Sequence, residues 1–313
     1  MDFKNIVVIG GGVLGSQIAF QSAYSGFNVI ILTIDEKSKE DINNKLRKLA
    51  ITYKKELDNM VNLKDITKWP MGISSYDGFN YEKCMDKLNT ALSRITLETN
   101  QKEALKNADL VIESITENLK AKQELFKQIA EYLPERTVIV TNSSTLLPSK
   151  MAKFTKRPDK FLALHFANNI WKNNLTEVMA QDKTNKKYFE DILIFASNIR
   201  MIPVPIYKEK SGYLLNSMLV PFLFSALDLL VNGISDCESI DKAWTLGTGA
   251  PNGPFRILDT VGLETAYNIV KMYVKVPKFM APYNFKGMAK YLEKMIGEGK
   301  TGKAAGEGFY KYE

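Results

Sequence analysis

The sequence predicts an α/β chain: a doubly wound parallel-sheet domain over residues 1–208 with an inserted helical hairpin, followed by a smaller all-α domain over 209–313. Three observations predict it. A short apolar run at 6–9 passes through a glycine-rich turn into an amphipathic stretch; apolar runs and helical patterns then alternate as far as residue 206; beyond 208 the pattern is helical only. With 313 residues, 45% hydrophobic and 25% charged, the chain is long enough for two packed domains, which excludes a disordered tail or a fibre.

The run IVVI at 6–9 reads as a strand, and Gly10-Gly11-Gly12-Val13-Leu14-Gly15 as the turn that opens a helix ending at Gly26. Between a strand and a helix, GxGxxG has a mechanical meaning. Gly10 allows the turn, Gly12 lets the backbone approach a pyrophosphate, and Gly15 lets the helix pack close to the strand. The unpaired N–H groups of the helix then face the phosphates. With a second apolar run at 29–32, this is the pattern of a Rossmann-type domain, and NAD is the expected cofactor. The position expected to hold the ribose, eighteen after Gly15, is Thr33, and Asp35 follows two residues later. An acid there repels a 2′-phosphate, so Thr33 beside Lys37 and Lys39 leaves NADP open.

Apolar residues at Ile42, Leu46, Leu49, Tyr53, Leu57 and Met60 mark one helical stripe, and Tyr81, Cys84, Met85, Leu88 and Leu92 a second. The turn-rich connector 63–79 between them makes the pair a helical hairpin, read either as two core helices or as a lid over a long substrate. Strands are predicted at 108–113, 137–141 and 160–164, a helix over 119–133, and a last extended segment at 202–206. In a doubly wound sheet the ligand crevice lies at the carboxyl ends of the strands, where Glu117, Asn142, Ser144 and His165 fall. After a linker at 207–212, helices are predicted over 213–232 and from the capping box Ser235-x-x-Glu238, with more beyond the Gly/Pro-rich loop 247–254.

His165 is the single histidine of the chain. It ends a strand, follows the polar Asn142-Ser143-Ser144 strand end, and has Glu177 twelve residues on. An imidazole, with its ordinary pKa near 6.5, suits alcohol dehydrogenation because it can take the hydroxyl proton and return it. A carboxylate on the far ring nitrogen fixes the tautomer and stabilises the imidazolium.

Forty-two Lys and Arg against 35 Asp and Glu give a net charge of +7, but the lysines are spread and usually stand near acids. That argues for a small-molecule substrate and against nucleic acid. Two cysteines without a CxxC, and no charged leader with a cleavage site, point to a reducing cytoplasm; no metal-ligand cluster is predicted. The apolar run 212–233 carries Asn216, Pro221 and Asp228 and reads as a buried helix, not a membrane span. Its apolar excess suggests a homodimer interface.

The ordered segments GGGVLGSQIAF, ADLVIESITENLKAKQELF, TNSSTLLPS, DKFLALHF, LTEVM, SGYLLNSMLVPF, GTGAPNGPFRILDTVGL and GEGFYKY resemble the L-3-hydroxyacyl-CoA dehydrogenase family. HFANNIWKNNLTEVM, KEKSGYLLNS and APNGPF are similar to a branch of it that includes a bacterial diketoreductase. The resemblance implies that His165 is the general acid/base, Glu177 its orienting partner and Ser144 a donor to the reacting oxygen, with Asn216 on the substrate's carbonyl side. It implies that Gly10, Gly12 and Gly15 meet the pyrophosphate, with Glu117, Lys122 and Asn168 near the ribose and nicotinamide. The implied reaction is oxidation of a short-chain L-3-hydroxyacyl-CoA, as in fatty acid metabolism. Two departures leave alternatives open. Thr33 replaces the usual acid, and Asn169 stands where the family pattern has Pro, with Trp171, Asn173 and Asn174 altering the wall beyond His165. A non-CoA β-diketone, keto-ester or sugar-acid substrate therefore stays open, as does a non-catalytic dinucleotide-binding protein.

Overall fold

The computed structural model describes residues 3–277 and 279–312. By its internal contacts the chain forms two compact units, residues 1–214 and 215–313.

In the first unit, eight strands form one sheet in the order β3-β2-β1-β4-β5-β6-β7-β8. They are β1 (Asn5–Ile9), β2 (Asn28–Leu32), β3 (Ile95–Glu98), β4 (Leu110–Glu113), β5 (Val138–Thr141), β6 (Phe161–Phe166), β7 (Leu175–Met179) and β8 (Ile202–Ile206). The first six pair in parallel, whereas β7 runs antiparallel to β6 and β8 parallel to β7. The doubly wound parallel sheet expected from the sequence is thus present, with one antiparallel pair towards its β8 side that the sequence reading did not include. Residues 167–174 are too few for the crossover that a parallel neighbour requires, so the chain turns straight back. Strand β8 carries Pro203 and Pro205, which lack a donor N–H, and it lies at the sheet edge where one side needs no partner.

Alternate residues of the central strands feed two cores. Ile6, Val8, Leu110, Ile112, Val138 and Val140 pack on one face with residues of α1 (Val13–Tyr24), α2 (Lys37–Met60), α3 (Tyr81–Ala91) and α6 (Lys186–Asn198). Val7, Ile9, Val111 and Ile139 pack on the other with residues of α4 (Gln101–Leu105) and α5 (Leu119–Ile129). Strands buried on both faces read as unbroken apolar runs, which is why IVVI and LVI carry no polar alternation. All six residues of the first hairpin stripe are buried. On α3 the buried residues are Cys84, Leu88 and Ala91; Leu92 is exposed because the α-helix ends at Ala91 and the chain tightens into a 3-10 turn.

The second unit holds α7 (Leu215–Val231), α8 (Cys237–Thr248), α9 (Pro254–Val261), α10 (Leu263–Lys271) and α11 (Phe285–Gly297) around a core that includes Phe224, Leu227, Phe255, Leu258, Met288 and Leu292. Two expectations are corrected here. Helix α7 begins at Leu215 and not at 213, since Tyr213 takes a left-handed φ of +54°. The cap of α8 is Asp236, whose carboxylate accepts from Ser239 N, and not Ser235; a carboxylate at the helix N-terminus also gains from the helix dipole. No described helix is long and apolar enough to cross a membrane.

At the glycine turn, Gly10 has φ +105°, and a Cβ built on Gly15 would lie 2.0 Å from the Gly10 carbonyl oxygen, whereas one on Gly12 meets nothing within 4 Å. Gly15→Ala is expected to cost about 1–3 kcal/mol through forced displacement of backbone, read as a lower thermal midpoint, while Gly12→Ala holds the wild-type midpoint. Equal midpoints for the two variants would contradict this account of the turn.

Candidate active site

Antiparallel pairing places His165 of β6 directly opposite Glu177 of β7. Directly opposed residues project from the same face. His165 Nδ1 lies 3.1 Å from Glu177 Oε2, and its Nε2 lies 3.1 Å from Ser144 Oγ, just beyond β5. An ionised carboxylate only accepts, so Nδ1 carries the proton of a neutral ring and Nε2 accepts from the serine hydroxyl. The other oxygen of Glu177 accepts from Leu214 N at 2.8 Å, which fixes the carboxylate's rotation. Ser144 is exposed, and the His165 side chain keeps 12% of its surface accessible at the carboxyl end of β6.

Tyr213 was not among the sequence candidates. Its ring stacks on His165 with centroids 4.5 Å apart and 18° between planes, and its hydroxyl donates to the Ser143 carbonyl at 2.6 Å. Burial, then the nearby carboxylates of Glu117 and Glu177, push the phenol's pKa up, so it stays protonated as a hydrogen-bond donor. The preceding Ser211-Gly212, whose glycine takes a φ of +81°, marks a turn there but does not mark a ring that stacks on the imidazole.

Beside the glycine turn lies a cleft of about 660 Å³ lined by Gly10, Gly11, Gly12, Thr33, Ser38, Asp41, Lys45 and Ser114, among others. The open space at Gly12, the α1 N-terminus that Gly12 caps without a side-chain bond, and the glycine-only approach of Gly15 fit a dinucleotide's pyrophosphate. Thr33 lies in this cleft, nearly buried, with its N–H on the Glu98 carbonyl. Asp35 does not line the cleft; its Oδ1 accepts from the N–H and hydroxyl of Ser38 at 2.8 and 2.7 Å, and these bonds hold its pKa below the usual carboxylate range. The acid that does line the cleft is Asp41, ion-paired with Lys45, neither of them a sequence candidate.

Glu117 precedes α5, and its Oε1 accepts from Ser143 Oγ (2.6 Å) and from Thr145 N and Oγ1 (both 2.8 Å). Burial pushes its pKa up, but these hydrogen bonds and the charge of Lys122 outweigh burial and hold it below the ordinary carboxylate range. Lys122 is only 1% exposed. It pairs with Glu113 at 2.5 Å and with Glu117 at 3.6 Å, so it faces carboxylates within the fold and not solvent. Glu113 itself, a buried carboxylate at the end of β4, also accepts from Ile115 N and Thr141 Oγ1. Asn142 ties three strand ends together, accepting from Phe166 N at 3.0 Å and donating to Ser114 Oγ at 3.3 Å. Asn168 is exposed on the loop after His165, its carbonyl accepting from Asn173. Asn216 belongs to the second unit, half-buried on the first turn of α7.

The whole chain has relatives of known kind. It is 36% identical over 313 residues to the human mitochondrial hydroxyacyl-coenzyme A dehydrogenase, covering 99% of this chain and 91% of the relative. It is 28% identical to a probable 3-hydroxybutyryl-CoA dehydrogenase of Bacillus subtilis, over 100% of this chain and 99% of the relative. A solved diketoreductase structure, described as showing substrate-directed dual catalysis of dicarbonyl compounds, superposes with a TM-score of 0.84 at 42% identity, both chains covered in full. Residues 5–210 match the 3-hydroxyacyl-CoA dehydrogenase NAD binding domain and residues 212–312 the C-terminal domain of the same family. The chain is thus an oxidoreductase with an NAD-binding domain, and it belongs to the 3-hydroxyacyl-CoA dehydrogenase family.

Proposed function

We propose that the protein catalyses the reversible NAD-dependent oxidation of a short-chain L-3-hydroxyacyl-CoA to the 3-ketoacyl-CoA. The observation that carries this reading is the hydrogen-bonded series Ser144–His165–Glu177, both links 3.1 Å, at the end of β6. NAD, when bound, accepts the hydride that leaves C3. Nε2 of His165 takes the hydroxyl proton as the C–H bond breaks, and Glu177 stabilises the imidazolium that forms. In the reverse direction, the imidazolium and the Ser144 hydroxyl donate to the carbonyl oxygen as negative charge grows there, a contribution typically worth a few kcal/mol. Asn216 is assigned to the substrate's carbonyl side by its place in SGYLLNS. Gly10, Gly12 and Gly15 are assigned to the pyrophosphate, and Glu117, supported by Lys122, with Asn142 and Asn168, to the ribose and nicotinamide end.

A second reading keeps the chemistry and changes the substrate to a free β-diketone or β-keto ester. The left-handed φ of +59° at Asn169 favours it, because a proline at that position, fixed near −65°, would force another path for the loop that follows His165. The diketoreductase's action on dicarbonyl compounds supports it as well. The ratio of kcat/KM for acetoacetyl-CoA to that for a free β-keto ester separates the two, with the CoA ester expected to be preferred. With whichever substrate is better, His165→Gln is expected to lower turnover by ~10²–10⁴-fold with NADH affinity little changed. An undiminished rate would remove the mechanism.

The second unit is assigned a role in homodimer formation, supported by the exposed Leu215 and Met218 on α7 and Trp244 and Leu246 on α8. A monomeric mass at micromolar concentration would overturn that assignment.

Glu117 leads to a pH expectation. Its carboxylate is favoured as the anion in the folded state, so its contribution to stability is complete above the ordinary carboxylate pKa and is lost as pH falls through the lowered folded value. The thermal midpoint of the wild type is expected to track that of Glu117→Gln in parallel from pH 7 to ~5 and to fall more steeply from pH ~5 towards ~3, the range below the ordinary glutamate pKa. Curves that stay parallel over the whole range would show that the Glu117 charge contributes nothing.

A further inference from the structure

The loop that joins β6 to β7, residues 167–174, has no regular structure of its own, yet its path is held at several points. Two successive amides, Asn169 N and Ile170 N, donate to one acceptor, Gln17 Oε1, at 2.8 and 3.4 Å. Gln17 lies on α1 two residues beyond Gly15 and is 5% exposed, so no water replaces that acceptor easily. Asn169 needs its left-handed φ of +59° to turn both amides towards the glutamine. One turn further along α1, Gln21 Nε2 donates to the carbonyl of Gly72 at 2.8 Å and to that of Ile199 at 2.9 Å, and its Oε1 accepts from the Tyr53 hydroxyl. Gly72, in the hairpin connector, donates to the Trp171 carbonyl at 3.0 Å. A Cβ there would lie 2.5 Å from the Ile170 oxygen and 2.8 Å from Trp171 Cα. Lys172 pairs with Glu56 of α2 at 2.7 Å.

We propose that Gln17 is a positioning residue for the substrate: it fixes the loop that follows His165 against the cofactor helix and thereby sets substrate affinity. This rests on the assignment of His165 to the reacting centre. The buried face of an amphipathic helix ordinarily carries apolar side chains. Helix α1 instead buries two glutamines, and their carboxamides are spent on irregular backbone, Gln17 on the loop after His165 and Gln21 on the connector that loop touches. The N-terminus of the same helix faces the cleft at Gly12. One rigid element therefore holds the nucleotide end and the substrate-side wall in a fixed relation, without Gln17 touching either ligand.

Gln17→Met keeps the volume and removes the acceptor, whereas Gln17→Glu keeps an acceptor oxygen. Removing the shared acceptor of the buried Ile170 amide and the partly buried Asn169 amide should depopulate the ordered loop by a factor of about 10–100. Gln17→Met is therefore expected to raise KM for the β-keto substrate by that factor, with kcat changed much less and the NADH dissociation constant, read by fluorescence, within about twofold. Gln17→Glu is expected to restore KM. In hydrogen exchange, the amides of Asn169 and Ile170 should be protected in the wild type and in Gln17→Glu and should exchange faster in Gln17→Met. Unchanged KM or unchanged protection in folded Gln17→Met overturns the proposal. If no β-keto compound is turned over by the wild type, the assignment of His165 fails, and the exchange rates still decide whether Gln17 holds the loop. Should Gln17→Met not fold, Asn169→Pro, which deletes one donor and forbids positive φ, is expected to raise KM while Asn169→Gly leaves it; equal effects of the two overturn the proposal.

Discussion

Because β6 and β7 pair antiparallel with His165 opposite Glu177, the imidazole and its carboxylate are brought together by backbone register and not by side-chain packing alone. The ladder on either side, Leu164 with Val178 and Phe166 with Thr176, sets that register, and β8 pairs with the far edge of β7. A slip of one residue would turn every β7 side chain to the opposite face, carrying the buried Glu177 carboxylate away from the ring and into an apolar core and setting Val178 in its place. The short return 167–174 forces the antiparallel direction, so the reversal that breaks the parallel sheet is also what creates the pair. Tyr213 and Leu214 then close the arrangement, one stacking on the ring and the other occupying Glu177 Oε1, which leaves Oε2 for Nδ1.

A second constraint lies beneath the cleft. Burying an ion pair is costly, and Lys122–Glu113 is buried almost completely. The cost is offset by full satisfaction of the carboxylate through Lys122, Ile115 N and Thr141 Oγ1. Removal of one partner would strand the other charge, at about 3–5 kcal/mol. Glu113 stands in register between Ile9 of β1 and Thr141 of β5, so the pair links the strand that enters the glycine turn with the strand that leads to Ser144. Lys122 also reaches Glu117, whose Oε1 collects donors from Ser143 and Thr145. The buried charge thus connects to the segment that presents Ser144, a reason for it to exist that stability alone does not supply.

Local signals were legible in the sequence where one residue type answers one geometric demand. IVVI announced a strand buried on both faces, the glycine spacing announced the turn, and the stripe from Ile42 to Met60 announced a helix by its period. The meeting of Ser144, His165 and Glu177 was open to inference because all three flank strand ends or motif segments. What stayed hidden depends on contacts between distant segments. The strand Ile95–Glu98 is four residues long and only partly buried, too short for its period to declare itself. Asp35 stands nearest the position expected to hold a cofactor's ribose, but it is bonded to Ser38 outside the cleft, and the acid in the cleft is Asp41, one helical turn into α2. Ser235 and Asp236 are both good caps, and the choice between them is made by where the chain enters α8. Tyr213 and Gln17 carry no chemical signature on their own; one matters through stacking and the other through two backbone amides of a loop more than 150 residues away.

The hairpin admits two readings, a lid or a pair of core helices, and the energetics separate them. Segments that open readily bury few apolar contacts. Helix α2 buries Ile42, Leu46, Leu49, Tyr53, Leu57 and Met60 in the same core as α1, at about 1.5–3 kcal/mol for each large side chain. Lifting α2 would expose all of them and break the Tyr53–Gln21 hydrogen bond and the Lys172–Glu56 pair. The connector is anchored as well, since Trp69 is buried with its Nε1 on the Ser74 carbonyl and Gly72 fits beneath the Ile170–Trp171 backbone. An opening motion of the hairpin therefore works against much of the domain's own stability, which for a folded domain amounts to only about 5–15 kcal/mol in total. The hairpin is a fixed part of the first unit's core and not a lid.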